Sequence, residues 1–499
     1  MRTISLFFLI MLISTITFAI EIEFHFYYGW QNICMPCNTE SEIITDILPV
    51  IEPSYSYNLF TGSYDAISCF PPPNVGFWTF ALVETTITIF CECVNVFEPE
   101  PPLQQIFPQI DAGIHYSISL KQDSTVWSWG RNYCGGLGIG STVSSPTPIQ
   151  VHGESGIGFL TEIVAISSCG WHTMALNADS TVSTWGYNCF GRLGDGTTTN
   201  RWTPVKVLGP SGVGFLTNII AIYAGQEQSM ALRSDSTVWV WGKNEFGELG
   251  DGTTINRHTP VQVVGGSGFG FLTDIVAIAN GGDHSLALSA DSTIWSWGRN
   301  HLGQLGDGTY SNRRSPVQVL GVGGTGLLSE VISITAGIPH SLALTADGSV
   351  WAWGDNSSGQ LGDGTTINRN TPVQVHNSDD TGHLSGIVSI YAPDYHSLCL
   401  KSDGTLWSFG QNSRGQLGDG TYTNRNLPIQ VLDTDGIGSL RNVNSFGGGR
   451  WHTLILKDDG SAWAWGINDY FEHGTGSLGS SPTPVQVHGE GGFGFFNVY

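Results

Sequence analysis

The chain has 499 residues and a net charge of −23, yet charged residues make up only 12% of the sequence. That share is about half the usual one, while 66 glycines are nearly twice the average usage of roughly 7%. This composition argues against long solvated helices and coiled coils and favours short strands joined by tight turns. An acidic surface also repels phosphate backbones, so no nucleic-acid partner is expected.

The first residues have the pattern of a signal peptide. Arg2 gives a positive start, residues 4–13 are mostly apolar, and Ala19 offers a small residue before a cleavage point. The alternative is an uncleaved membrane anchor, but the apolar run is short for a span of about 20 residues. We therefore predict a signal peptide over residues 1–19 and a secreted, extracellular protein whose mature chain has no membrane span.

Residues 20–105 are predicted to form a small acidic β domain that ends in a Pro-rich linker over residues 98–102. Apolar and polar residues alternate over residues 20–26, as in a half-buried strand, and residues 85–97 are similar. The domain contains the cysteines Cys34, Cys37, Cys69, Cys91 and Cys93. Export favours disulfide bonds among them over zinc binding by the closely spaced Cys34/Cys37 and Cys91/Cys93 pairs.

From residue 106 onward the sequence repeats with a period of 56 residues. The glycine that closes a Trp-x-Trp-Gly motif, or a variant of it, recurs at every step. It is found at Gly130, Gly186, Gly242, Gly298, Gly354, Gly410 and Gly466. No insertion or deletion interrupts the seven copies, and a fixed period of this length indicates a repeat architecture.

Each copy contains four short predicted strands, which we name A to D. In the fourth copy they cover residues 275–279, 284–288, 293–297 and 316–319. Pro316 at the start of strand D suits an outer edge strand, where a missing N–H is tolerated. The fold class is therefore all-β: a seven-bladed β-propeller over residues 106–499, preceded by the small β-rich N-terminal domain.

Two positions of the repeat are predicted to hold the ring together. Tryptophans two residues apart in strand C, such as Trp295 and Trp297, lie on one face and pack between blades. Histidines begin strand B in five copies, at His172, His284, His340, His396 and His452. A catalytic or metal site needs unlike groups that converge on one point, so these spread histidines favour a structural role. Blades one and seven are expected to meet by packing or a tail strand, without a strand exchanged from residues 20–105.

The motifs of the fifth copy resemble those of the regulator of chromosome condensation repeat family. They read Ala336-Gly337-x-x-His340-Ser341-Leu342-Ala343-Leu344, Trp351-Ala352-Trp353-Gly354 and Asn356-x-x-Gly359-Gln360-Leu361-Gly362-Asp363-Gly364-Thr365. The resemblance covers residues 106–491 and implies a seven-bladed propeller. Members include a nuclear exchange factor for a small GTPase and secreted proteins of the β-lactamase inhibitor protein II type, which bind an enzyme through one face. The export signal and acidic surface favour the secreted type.

Other groups with possible chemistry are expected to be structural. A Gly-Asp-Gly loop recurs with Asp195, Asp251, Asp307, Asp363 and Asp419. One carboxylate per loop is too few for a dedicated calcium site, so turn formation is favoured. Cys134 and Cys189 lie at similar loop positions of adjacent blades and are candidates for a cross-link, and Cys399 is predicted to be a buried thiol. The sequence has no catalytic motif, so neither enzymatic activity nor a cofactor or metal is predicted.

The A–B and C–D loops should share one face of the propeller, and the B–C turns and D–A connections the other. Two positions on the first face vary among copies and are rich in aromatic residues, in which interface energy is concentrated. We therefore predict a protein-binding face with Trp171 and Trp451 as anchors. Its residues are His115, Trp171, Glu227, Asp283, Tyr395 and Trp451 in the A–B loops and Tyr133, Phe190, Phe246, His301, Arg414 and Tyr470 in the C–D loops. The alternative is a carbohydrate-binding propeller that stacks sugars on the same rings; an enzyme or guanine-nucleotide exchange factor is less favoured.

Overall fold

The computed structural model describes residues 106–434 and 436–499 in full and, within residues 1–105, the backbone of six strands. The chain separates into two compact units, Met1–Gln104 and Gln105–Tyr499. The strands of the first unit are β1 (Thr3–Phe8), β2 (Ile20–His25), β3 (Ser54–Asn58), β4 (Ser63–Ala66), β5 (Thr79–Val83) and β6 (Thr86–Phe90). β1 pairs with β2, and the other four form an antiparallel sheet in the order β4-β3-β6-β5. The predicted cleavage site, the five N-terminal cysteines and the linker over 98–102 lie outside the described residues.

The second unit is a seven-bladed propeller, which confirms the predicted fold, and each blade is a four-stranded sheet in chain order. Blade 1 contains β7 (Gln109–Ala112), β8 (Tyr116–Leu120), β9 (Val126–Gly130) and β10 (Ser145–Gln150); blade 2 contains β11 (Ile163–Cys169), β12 (His172–Asn177), β13 (Val182–Gly186) and β14 (Arg201–Lys206); blade 3 contains β15 (Ile219–Ala224), β16 (Gln228–Arg233), β17 (Val238–Gly242) and β18 (Arg257–Gln262); blade 4 contains β19 (Ile275–Asn280), β20 (His284–Ser289), β21 (Ile294–Gly298) and β22 (Arg313–Gln318). Blade 5 contains β23 (Val331–Ala336), β24 (His340–Thr345), β25 (Val350–Gly354) and β26 (Arg369–Gln374); blade 6 contains β27 (Ile387–Tyr391), β28 (His396–Lys401), β29 (Leu406–Gly410) and β30 (Arg425–Gln430); blade 7 contains β31 (Val443–Gly448), β32 (His452–Lys457), β33 (Ala462–Gly466) and β34 (Ser481–Gln486).

Four single 3₁₀ turns complete the described secondary structure. They cover Glu154–Gly156, Pro210–Gly212, Val322–Gly324 and Glu490–Gly492. Within the described residues, no helix has the length and apolar content needed to cross a bilayer.

Strand A is innermost, because A strands of neighbouring blades contact one another and β31 of blade 7 contacts β7 of blade 1. Strand D is outermost and begins earlier than predicted. In blade 4 it starts at Arg313 rather than Pro316, because a β-bulge lets it pair with strand C on both sides of the proline. Pro316 lies within this irregular stretch of an edge strand, where its missing N–H removes no ladder bond.

Neighbouring blades are joined by a repeated set of buried contacts. In blade 4, the indole Nε1 of Trp297 donates to the carbonyl of Glu248 in blade 3 at 2.8 Å, and the Ser285 hydroxyl donates to the same carbonyl at 3.0 Å. Within the described propeller the tryptophan bond recurs at six of the seven joints. Phe409 takes the place of this tryptophan in blade 6. The predicted packing of tryptophan between blades is confirmed.

The five histidines that begin strand B also join blades, which confirms their structural role. Nε2 of His284 lies 2.8 Å from the hydroxyl of Ser341 in the next blade. The other four make the equivalent contact to Ser or Thr. Burial lowers the pKa of His284 to about 4 and that of His340 to about 3, so both are neutral at physiological pH.

The ring closes between blades 7 and 1 by a short C-terminal tail, without a strand exchange, as predicted. The buried ring of Phe496 lies 5.7 Å from Trp129 of blade 1 between ring centroids. The backbone N–H of Gln122 in blade 1 donates to the carbonyl of Val498 at 2.9 Å, and the N–H of Val498 donates to Gly460 of blade 7 at 3.1 Å. The tail therefore joins the two blades directly.

Candidate functional site

The A–B and C–D loops meet on one face, and four of the predicted site residues form one group where blades 7, 1 and 2 adjoin. The imidazole of His115 has its centroid 4.9 Å from the ring of Tyr470, 5.3 Å from Trp451 and 5.7 Å from Trp171. We call these four side chains the aromatic cluster. It combines the A–B loops of three blades with a C–D loop of blade 7.

His115 supports this cluster from below. The residue is only 8% exposed, and Nδ1 lies 2.9 Å from Oε1 of Glu472, which is fully buried. The other carboxylate oxygen of Glu472 accepts a hydrogen bond from the backbone N–H of Tyr470 at 2.8 Å. Trp171 and Trp451 are half-buried. Both tryptophans are therefore held in place by the cluster and still offer part of their surface.

Arg131 completes the cluster and was not among the predicted residues. Its guanidinium carbon lies 4.2 Å from the ring centroid of Tyr470 and 5.5 Å from those of Trp171 and Tyr133. Such cation–π contacts contribute about 0.5–2 kcal/mol each, depending on desolvation. Among the described residues no carboxylate pairs with Arg131, although the chain carries a net charge of −23. The group is therefore a positioned cation without an anionic partner.

A cleft of about 550 Å³ opens between blades 1 and 2, beside this guanidinium. Its lining residues are Arg131, Tyr133, Cys134, Trp171, Tyr187 and Asn200. Tyr133 is 70% exposed at the rim. Cys134 and Cys189 are free thiols, so the cross-link considered between them is not formed. Burial raises the pKa of the Cys134 thiol, which keeps it protonated.

The aromatic surface continues onto blade 6 through a second arginine. The guanidinium carbon of Arg450 lies 4.9 Å from the ring centroid of Trp451 and 5.5 Å from that of Tyr395. Unlike Arg131, Arg450 has a carboxylate nearby, with Nε 3.8 Å from Oδ2 of Asp394. Burial raises the pKa of Asp394 to about 6, and Arg450 opposes that rise.

The opposite side of the face, on blades 3 and 4, is a network of paired charges. Nζ of Lys243 lies 2.8 Å from Glu227 and 3.3 Å from Asp283. Asp283 also pairs with Arg299 at 2.9 Å, and Phe246 packs beneath both cations. The predicted site residues Glu227 and Asp283 therefore already have cationic partners within the chain.

Three further predicted residues lie apart from the aromatic cluster. The ring of Phe190 contacts Arg192 and Lys243 in blades 2 and 3. His301 and Arg414 are exposed, and neither makes a ring contact with the cluster in the described part of the chain.

A family model for the RCC1-like domain matches residues 90–384 and 272–496. The chain belongs to the RCC1-like family. This RCC1-like chain is 29% identical over 358 residues to the ultraviolet-B receptor UVR8 of Arabidopsis thaliana, a match that covers 72% of the chain and 76% of UVR8. It is 35% identical over 312 residues to the probable E3 ubiquitin-protein ligase HERC6 of Homo sapiens, which covers 60% of the chain but 28% of HERC6. The chain spans only 5% of the ligase HERC2 of Mus musculus, at 32% identity over 52% of the chain.

Solved structures show the same fold. Prp20p from Saccharomyces cerevisiae is 24% identical with a TM-score of 0.60, over 76% of this chain and 87% of that one. Human WBSCR16 is 22% identical with a TM-score of 0.60, over 73% of this chain and 93% of that one. The yeast protein was studied for its binding to Gsp1p and histones and has also been crystallised with Kap60.

The Gly-Asp-Gly loops of this RCC1-like propeller use their carboxylates within the chain. Oδ2 of Asp307 pairs with Arg313 at 2.7 Å, and Oδ1 accepts the N–H of Thr309 at 3.0 Å. The same arginine pair recurs in the other four loops. The predicted turn-forming role is confirmed, and Cys399 is, as predicted, a fully buried free thiol.

Proposed function

We propose that the chain is a protein-interaction module that recognises its partner with the A–B/C–D face, centred on the aromatic cluster and Arg131. The observation that carries this proposal is the guanidinium of Arg131, which has no carboxylate partner among the described residues and is held by three rings beside an open cleft. Arginine and aromatic side chains supply most of the energy at protein interfaces. A partner that offers a carboxylate to Arg131 and an apolar side chain to the cleft would satisfy both features.

The fate of the other reactive groups supports binding over catalysis. The histidines of strand B are buried and bonded between blades, and the loop aspartates are paired with arginine. A propeller of the same fold, yeast Prp20p, also binds other proteins, which supports a binding role. Fold alone does not fix function, so the proposal rests on the site.

The test is affinity capture with the full chain, comparing wild type with Arg131→Ala. Arg441→Ala is the control, because Arg441 is an exposed arginine that belongs to a D–A connection on the other face, whereas Arg131 is half-buried in the aromatic cluster. A protein partner retained by wild type and by R441A should bind R131A at least about 10-fold more weakly, as expected for an interface anchor. Equal retention by all three proteins would refute the proposal. Elution by free sugars would instead favour the carbohydrate-binding alternative.

We also propose that the module is exported, as the pattern of residues 1–19 supports. Expression in secretory cells should release a protein whose N-terminus is Ile20 and whose N-terminal segment contains at least one disulfide bond. Retention of the protein inside the cells with residues 1–19 intact would overturn this proposal. Mass spectrometry of the non-reduced protein measures both properties.

A further inference from the structure

The D–A connections, on the face opposite to the aromatic cluster, fold back as short hairpins. In blade 1 the N–H of Gly153 donates to the carbonyl of Gly158 at 3.0 Å, and His152 forms an isolated β-bridge with Phe159. Equivalent bridges form in the other blades. The residue before the closing glycine, Ile157 in blade 1, therefore lies at the tip of a hydrogen-bonded hairpin that projects from this face.

Four adjacent blades carry large apolar residues at both positions of this hairpin, whereas blade 6 has one only at the tip, Ile437, and blade 4 only at the second position, Leu327. We call the set the apolar crescent; it consists of Phe493 and Phe495 in blade 7, Ile157 and Phe159 in blade 1, Val213 and Phe215 in blade 2, and Phe269 and Phe271 in blade 3. The tip residues are 78–87% exposed and the second residues 55–61% exposed. Eight large apolar side chains, each more than half exposed on four successive blades, point to an interaction site rather than a packing requirement.

Sibling blades show that the hairpin does not need these side chains. The tip residue is Thr325 in blade 4 and Thr381 in blade 5, and the second position holds His383 in blade 5 and Ser439 in blade 6. All these blades have the same four strands and the same hairpin bridge. The crescent is therefore an asymmetric feature added to a fold that forms without it.

The surroundings of the crescent are acidic. Each B–C turn on this face contains an aspartate, and the hydrogen bonds from Thr237 and Ser461 lower the pKa of Asp235 and Asp459, so that both are ionised at neutral pH. In these four blades the carboxylates outnumber the cationic side chains, and Lys206 is shared between Glu154 and Asp179.

We propose that the apolar crescent is a second interaction surface, which docks a partner segment that presents apolar side chains flanked by lysine and arginine. Apolar anchors fill the space between the hairpin tips, and the flanking cations meet the surrounding carboxylates. Anionic lipid headgroups would be repelled by those carboxylates, and a second copy of this chain would bring an equally acidic rim.

The probe is a fluorescein-labelled 14-residue amphipathic peptide of leucine and lysine, titrated against the full chain. The variant Phe269→Thr with Phe493→Thr installs the residue found in blades 4 and 5 and should weaken binding at least 10-fold. The matched control is Tyr310→Thr with Tyr422→Thr, which removes two rings of 54% exposure from C–D loops and also installs the sibling residue. The control should bind within twofold of wild type.

Equal losses in both pairs, or no loss in either, would overturn the proposal. Phenylalanine-dependent binding to phosphatidylcholine vesicles with no peptide preference would assign the crescent to lipid, and phenylalanine-dependent dimers in light scattering would assign it to a second copy. Either result also refutes the proposed occupant. R131A should bind the peptide normally, so this test and the test of the A–B/C–D face fail independently. Unchanged Tm values in both double variants would show that the fold is intact.

Discussion

Replacement of His473 by leucine should stabilise the propeller. The imidazole is 1% exposed, and its Nε2 has no hydrogen-bond partner among the described residues. The other blades have a fully buried leucine here: Leu137, Leu193, Leu249, Leu305, Leu361 and Leu417. An unsatisfied buried polar atom costs about 1–3 kcal/mol. His473→Leu removes that cost and restores the side chain found in the other six blades, but it also loses the hydrogen bond of the imidazole to the Gly466 backbone. We therefore expect a net gain of about 1 kcal/mol at pH 7.5.

The same variant should respond differently to acid. Burial lowers the pKa of His473 to about 3, whereas an unfolded histidine titrates near about 6.5. Between pH 6.5 and pH 3 the unfolded chain therefore binds a proton at His473 that the folded chain does not bind. The free energy of unfolding of wild type is unaffected by this titration above pH 6.5 and decreases as the pH falls towards 3. Because H473L lacks this titrating group, the difference in free energy of unfolding between H473L and wild type should grow by about 1.4 kcal/mol per pH unit below pH 6.5, or by roughly 2 kcal/mol at pH 5.

Urea unfolding followed by tryptophan fluorescence at pH 7.5 and pH 5 measures both effects of H473L. His340→Leu is the control. Both histidines have one unpaired ring nitrogen, Nε2 in His473 and Nδ1 in His340, but only the His473 position holds leucine in the other six blades, and Nε2 of His340 is paired with Ser397 at 3.0 Å. At pH 7.5 that variant should lose about 1–2 kcal/mol, the value of a buried hydrogen bond. A destabilised H473L at pH 7.5, or a gap to wild type that is the same at both pH values, would refute the reasoning.

Three further outcomes follow from buried contacts. Asp307→Ala should lower the free energy of unfolding by about 2–3 kcal/mol, because the buried carboxylate accepts hydrogen bonds from Asn300 and Thr309 in addition to its pair with the partly exposed Arg313; an unchanged urea midpoint would contradict this role. EDTA should leave the Tm of wild type unchanged, since the loop carboxylates are paired with arginine, and a fall of several degrees would reveal a bound metal. Trp297→Phe should cost about 1–2 kcal/mol for the lost Nε1 bond to Glu248, while Trp297→Ala should cost about 3–5 kcal/mol. Equal costs for both tryptophan variants in thermal melts would show that the indole N–H contributes nothing.

The repeat made the fold predictable, because comparison of seven copies separates what a blade needs from what it tolerates. The roles of residues that recur, such as His340 in packing and Asp307 in turns, follow from the sequence alone. The start of strand D was missed because a bulge places Pro316 inside the strand, and only the pairing with strand C reveals this.

The candidate sites were less predictable for a physical reason. The aromatic cluster depends on ring closure, which brings Tyr470 of blade 7 against His115 of blade 1. The local sequence around either residue does not indicate this contact. Arg131 did carry a signal, since its repeat position holds Lys243 in blade 3 and Asp355 in blade 5. Applied to the hairpin tips, the same comparison of copies would also have found the apolar crescent.

Ring closure by the C-terminal tail has a mechanical consequence. The first strand of the propeller, β7, and the tail at Val498 lie at the same joint. Backbone hydrogen bonds join the tail to Gln122 of blade 1 and to Gly460 of blade 7. A tensile force applied between the two ends of the propeller therefore acts on the joint of blades 7 and 1 first. The backbone bonds of Val498 and the buried ring of Phe496 bear that load, whereas the other six joints stay shielded until this one opens.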